Sequence, residues 1–161
     1  MKKIICLFFI FSFCSVEAQT CDLLNTADVI SFAKKFLGTR YVYARNSPKD
    51  GFDCSGFTYY VFKNFNINVP RASIDYRNFG ETISIDSARP GDIIVFWRPG
   101  QKIPRPGHVG IVTSGTGESL KFIHSSPDRH DKGVVITAFN SVPYYKKNFM
   151  RICRLKIPLL N

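Results

Sequence analysis

The chain has 161 residues, 45% of them apolar, and carries Lys+Arg 22 against Asp+Glu 12 for a formal net charge of +10. That is enough chain for one domain with its own core, and no repeat, linker or low-complexity stretch interrupts it. The cations are scattered and no nucleic-acid fold motif appears, which argues against nucleic acid as a partner. The charge would instead concentrate extracellular carboxylates, anionic polymers or lipid headgroups, or it is a solvated surface with no partner.

Met1-Lys2-Lys3 is a short basic start, residues 4–13 are almost wholly apolar, and Val16-Glu17-Ala18 ends in a small residue. This predicts a cleaved signal peptide over 1–18, a secreted or periplasmic destination and a domain over 19–161. The apolar run is well short of the roughly 20 residues of a membrane span, and no later stretch would cross a bilayer. A lipid anchor on Cys14 is the alternative, disfavoured by bulky Phe13 before it. Cys6 and Cys14 leave with such a leader, so Cys21, Cys54 and Cys153 remain in an oxidising compartment. A Cys21–Cys153 disulfide and two unpaired thiols both fit this count.

Asn25 or Thr26 can cap a first helix whose apolar positions Val29, Ile30, Ala33, Phe36 and Leu37 share a face, with Gly38 as its end. Residues 41–45 read as extended, and Asn46-Ser47-Pro48-Lys49-Asp50-Gly51 is turn chemistry. Asp53 then caps a helix over about 54–65, with Phe57, Val61 and Phe65 on one face. Ser73 can cap a short third helix reaching near Gly80. The pattern next shifts to short apolar runs, predicting strands at 92–97, 108–114, 121–124, 133–138 and 150–157. Helices first and strands after predict an α+β domain, its N-terminal helices packed on an antiparallel sheet of five to six strands.

Cys54 is the residue with the most chemistry in it. A thiol at a helix start is pushed toward thiolate by the unpaired N–H groups and aligned dipoles there. Two histidines follow at strand positions, His108 and His124. A base that takes the thiol proton, and a third group that orients the base, are the requirements of nucleophilic acyl transfer. His130, in a polar turn, reads as solvated. One cysteine and two histidines could in principle hold zinc, but the short ligand pairs of zinc sites are missing, so neither metal nor cofactor is expected.

Five segments in register carry a resemblance: Gly51-Phe52-Asp53-Cys54-Ser55-Gly56-Phe57, Val69-Pro70-Arg71-Ala72-Ser73, Pro90-Gly91-Asp92-Ile93-Ile94-Val95-Phe96, His108-Val109-Gly110-Ile111-Val112 and Phe122-Ile123-His124-Ser125-Ser126. Together they resemble the NlpC/P60 family of papain-like cell-wall peptidases. The resemblance implies a papain-like fold and hydrolysis of amide bonds in peptidoglycan stem peptides, commonly next to D-glutamate or diaminopimelate; a monomer is expected. It casts Cys54 as nucleophile, His108 as general base and His124 as the group that orients the base. Tyr43 matches a family tyrosine beside the nucleophile that could donate a hydroxyl, its alternative being an aromatic packed on the core. Asp53 and Ser55 match positions that meet the substrate's amino group, although Asp53 serves equally as helix cap. Arg71 either pairs with an acid or lines the cleft, and Asp92 more plainly shapes a strand entry than touches substrate.

Two departures stand out. Tyr76 occupies a place where many relatives have glutamine, and the basic, proline-rich loop 98–107 is long. That loop either overhangs the cleft and selects substrates or is an exposed hairpin stiffened by proline. Two further functional readings are open at this point: a wall-binding module without turnover, and an amidase on another amide.

Overall fold

The structure is a computed structural model that describes residues 24–128, 132–156 and 159–160. The leader, Cys14, Cys21 and His130 lie outside the described residues.

The chain opens with β1 (Leu24–Asn25) and α1 (Thr26–Lys34). Asn25 caps α1, its side chain accepting from the Ala27 N–H at 3.0 Å, and Val29, Ile30 and Ala33 face the core. The helix stops one turn before Gly38, which takes φ 82° and donates its N–H to the Val134 carbonyl. The expected extended run over 41–45 is not formed. Tyr41 makes a single bridge to Phe52, and the chain then turns at Tyr43 and Ala44, the latter at φ 61°. Turn closure accounts for this, since the Arg45 N–H returns to the Val42 carbonyl at 3.2 Å.

A small hairpin of β2 (Asn46–Ser47) and β3 (Gly51–Phe52) delivers the chain to α2 (Cys54–Lys63). The segment from Ser73 is a 3₁₀ turn, Ser73–Arg77, shorter than expected. After it come β4 (Glu81–Ile83), β5 (Ile93–Trp97), β6 (Pro106–Ser114), β7 (Lys121–Ser126), β8 (Gly133–Ala138), α3 (Pro143–Lys147), β9 (Phe149–Arg154) and β10 (Leu159–Leu160). Six of these strands form one antiparallel sheet in the order β4-β9-β5-β6-β7-β8, and β10 pairs with β1. The expected α+β class and sheet are therefore what the chain adopts. The edge strand β4 and helix α3 are additions to the sequence reading, and β9 ends at Arg154.

Both faces of the sheet are covered, and β5 shows why its sequence is a continuous apolar run. Ile93 and Val95 pack with Val29, Phe57, Val61 and Phe62 under the helices, whereas Ile94 and Phe96 pack with Phe122, Phe139, Tyr145 and Ile152 on the other side. At the sheet's entry Asp92 accepts the Arg89 N–H at 2.9 Å and a two-pronged contact from Arg154 at 2.9 and 2.8 Å. Asp92 is thus structural, as its sequence context suggested. Cys153 is a free, fully buried thiol in the helix-side core. Tyr76 is also buried there, its hydroxyl donating to the Pro70 carbonyl at 2.9 Å. No described helix is long and apolar enough to cross a membrane.

Candidate active site

Cys54 is the first residue of α2, and Asp53 is its cap in extended conformation, accepting the Gly56 N–H at 2.6 Å. The turn is tight: a Cβ on Gly56 would come within 2.1 Å of the Arg45 carbonyl oxygen, so only glycine fits two residues after Cys54. Arg71 grips Asp53 with both guanidinium arms, at 3.0 Å each, and reaches the Arg45 carbonyl at 3.2 Å. Its first arm also lies 3.4 Å from Ser55 Oγ, which in turn donates to Asp53 at 3.3 Å. The two carboxylate oxygens therefore hold the start of α2 and the loop before it. The ion pair that the sequence offered for Arg71 is formed, and so is the Asp53 cap. One further bond, from Ser125 Oγ to the Phe52 carbonyl at 2.8 Å, ties this turn to β7.

The histidines come from adjacent strands on the face away from α1. His108 Nε2 is 2.8 Å from His124 Nδ1, and His124 Nε2 is 3.0 Å from Thr137 Oγ1 on β8. Close strand packing makes the first bond possible, because a Cβ on Gly110 would come within 2.7 Å of the Phe122 ring and 3.1 Å of His124 Cβ. Both rings are buried, His124 completely, among Phe96, Phe122 and Tyr145. The Tyr145 hydroxyl lies 3.5 Å from His124 Nε2.

The electrostatics differ from the sequence expectation. Cys54 is 7% exposed, and burial, followed by the nearby Asp53 charge, pushes its thiol up to about 11 against the pull of the Val109, Ser55 and Cys54 backbone N–H groups. Burial likewise pushes His108 down to about 4 and His124 well below its ordinary value, the latter helped by His108. At rest both groups are neutral, a thiol and an imidazole, in contrast to the ionised thiol that a bare helix start favours. The thiol's hydrogen bond goes to the Gly107 carbonyl at 4.0 Å, one residue before His108. Desolvation is the physical reason, since it opposes each charge more than the helix dipole favours the thiolate.

Tyr43 does not pack at this site: it is 79% exposed on its turn. Tyr41 takes the role of neighbour, its phenol pushed up to about 12 by burial and then by the charges of Cys54 and Asp53. Tyr144 of α3 is raised by burial and then by Cys54. Sequence reading missed both Tyr144 and Tyr145, and the cluster Pro143-Tyr144-Tyr145 was the signal for a short helix start with proline in its first turn. With His108, Asp128, Thr137 and Val142, these tyrosines line a cleft of about 470 Å³ on the imidazole side of the site. Among the described residues no group of three or more histidines, cysteines or carboxylates could hold a metal.

The NlpC/P60 family matches this chain over residues 38–154, from the end of the first helical segment to the last strand of the sheet. The chain belongs to the NlpC/P60 family. It is 32% identical over 139 residues to the gamma-DL-glutamyl hydrolase of Bacillus subtilis, covering 86% of this chain and 31% of that protein. It is 34% identical over 113 residues to the murein DD-endopeptidase MepS/murein LD-carboxypeptidase of Escherichia coli, covering 70% of this chain and 53% of that one. The chain thus spans about a third to a half of these relatives. A crystal structure of an NlpC/P60 family protein from Bacillus cereus superposes with TM-score 0.69 at 30% identity, over 83% of this chain and 41% of that one. This NlpC/P60 domain accordingly shares its fold with a solved member of the family.

Proposed function

We propose that this protein is a cysteine peptidase that hydrolyses amide bonds in peptidoglycan stem peptides through Cys54, His108 and His124. The observation that carries the reading is the bond chain from His108 Nε2 through His124 to Thr137, which leaves His108 Nδ1 as the ring nitrogen for the thiol proton. Two relatives named as a glutamyl hydrolase and a murein endopeptidase support the substrate class.

In this mechanism the Cys54 proton leaves the Gly107 carbonyl and passes to His108 as the sulfur attacks the scissile carbonyl. The ion pair so formed carries both charges at once, and their attraction offsets much of the desolvation that each would face alone. The Cys54 N–H at the start of α2 donates to the oxyanion of the tetrahedral intermediate. His108 then protonates the leaving amine, and a thioester on Cys54 remains for water to hydrolyse with His108 again as base.

The proposal places the protein outside the cytoplasm, its leader removed after Ala18, acting as a monomer without metal or cofactor. Mass spectrometry of diaminopimelate-type peptidoglycan incubated with wild type and Cys54→Ala tests it. Products that require Cys54 name the bond; their absence with a folded, reduced protein turns the reading to a wall-binding module or to an amidase on another substrate.

A further inference from the structure

A histidine that orients another histidine has a difficulty that a carboxylate does not: it has two tautomers, and only one serves. For His108 Nδ1 to accept the thiol proton, His108 must carry its hydrogen on Nε2 and donate it to His124 Nδ1. His124 must then carry its hydrogen on Nε2, with an acceptor there, or the pair reverts to the opposite arrangement in which His108 Nδ1–H cannot act as base.

Thr137 Oγ1 stands at that position, 3.0 Å from His124 Nε2. The sheet register puts it there: Phe122 pairs with Thr137 and His124 with Val135, so Thr137 is the diagonal neighbour of His124 on the same face. The Tyr145 hydroxyl lies farther from this nitrogen, at 3.5 Å. His124 is fully buried, so bulk water is a poor substitute acceptor.

We propose that Thr137 is a positioning residue that sets the His124 tautomer and thereby makes His108 a base. It extends the array to four members, Cys54, His108, His124 and Thr137, without touching the reacting atoms. The inference rests on Cys54 and His108 being the reacting pair, but its first readout is independent of substrate.

The test is nitrogen-15 NMR of the histidine rings in wild type, Thr137→Val and Thr137→Ser, alongside peptide hydrolysis. Valine keeps the shape and removes the hydroxyl, and serine restores it. Wild type and Thr137→Ser should show His124 as the Nε2–H tautomer, and Thr137→Val should show loss of that single tautomer. Turnover in the valine variant should fall about tenfold, the worth of one hydrogen bond, with KM little changed and serine restoring the rate. A wild-type His124 protonated on Nδ1, or a folded Thr137→Val variant with unchanged tautomer and rate, overturns the proposal. If the valine variant fails to fold, Thr137→Ala, which also lacks the hydroxyl, takes its place. If peptidoglycan is not the substrate, the spectra stand and only the hydrolysis arm fails.

Discussion

His108 and His124 meet edge to face, their rings crossed at 88° with 4.9 Å between centroids and 2.8 Å between the bonded nitrogens. That geometry points one lone pair at one N–H and holds the His108 ring at a fixed angle in a buried site. Replacing His124 with phenylalanine keeps the aromatic packing and removes the acceptor. Turnover should fall about a hundredfold with little change in KM, as measured by steady-state hydrolysis of a stem peptide. Equal rates in the two proteins would mean that packing alone orients His108.

In the proposed mechanism the two shifted groups set the pH profile. Between about 4, where burial places His108, and about 11, where it places Cys54, the pair holds one transferable proton in total. Below that window His108 is already protonated and cannot act as base; above it no proton is left for the leaving amine. The profile of kcat/KM should be broad, with no limb near the ordinary histidine value of 6.5. A sharp acid limb at that value would show that burial does not govern the base.

Stability should carry the same signature. His108 has a folded pKa below its unfolded one, so the unfolded chain takes up the proton first and stability is lost as pH falls below 6.5. The loss reaches about 3 kcal/mol by pH 4 for this one residue, and His124 shifts in the same direction. Cys54 and Cys153 are raised to about 11 and about 12, so their contribution is intact below 9.0 and lost as pH rises through those values. Urea midpoints across pH measure this, and a midpoint unchanged from pH 7 to pH 4 would contradict it.

The Asp53 and Arg71 pair should matter more to the fold of the turn before α2 than to chemistry. Arg71→Leu leaves the Asp53 carboxylate, which is buried, with only the Gly56 N–H and Ser55 hydroxyl. The expected cost is about 2 kcal/mol, held down because the guanidinium is 34% exposed. Asp53→Asn keeps a competent cap and should cost less. Gly56→Ala should be worse than either, because its methyl would collide with backbone and not with a movable side chain. Chemical denaturation of the three variants checks this order.

Much of this site could be read from the chain because strong local signals mark it. Asp53 caps a helix, Cys54 opens it, and His108 and His124 sit in apolar strand runs that the sheet sets side by side. What escaped reading depended on tertiary context. Strand β4 is three residues with little burial and no alternation to detect, and α3 is five residues, too short for a helical period. Tyr41 and Tyr43 are two residues apart, and which one faces the site was settled by a turn at Ala44 that local sequence did not signal. The protonation of Cys54 followed from burial by distant segments, which a helix-terminus argument does not contain.

The initial rate of stem-peptide hydrolysis by His108→Gly, with and without added imidazole, tests the central claim most directly. His108 borders an open cleft, so imidazole can enter the space it vacates. Turnover should fall about a thousandfold without imidazole and recover partially, in a concentration-dependent way, with it. A His108→Gly variant that hydrolyses the peptide at the wild-type rate would contradict that claim.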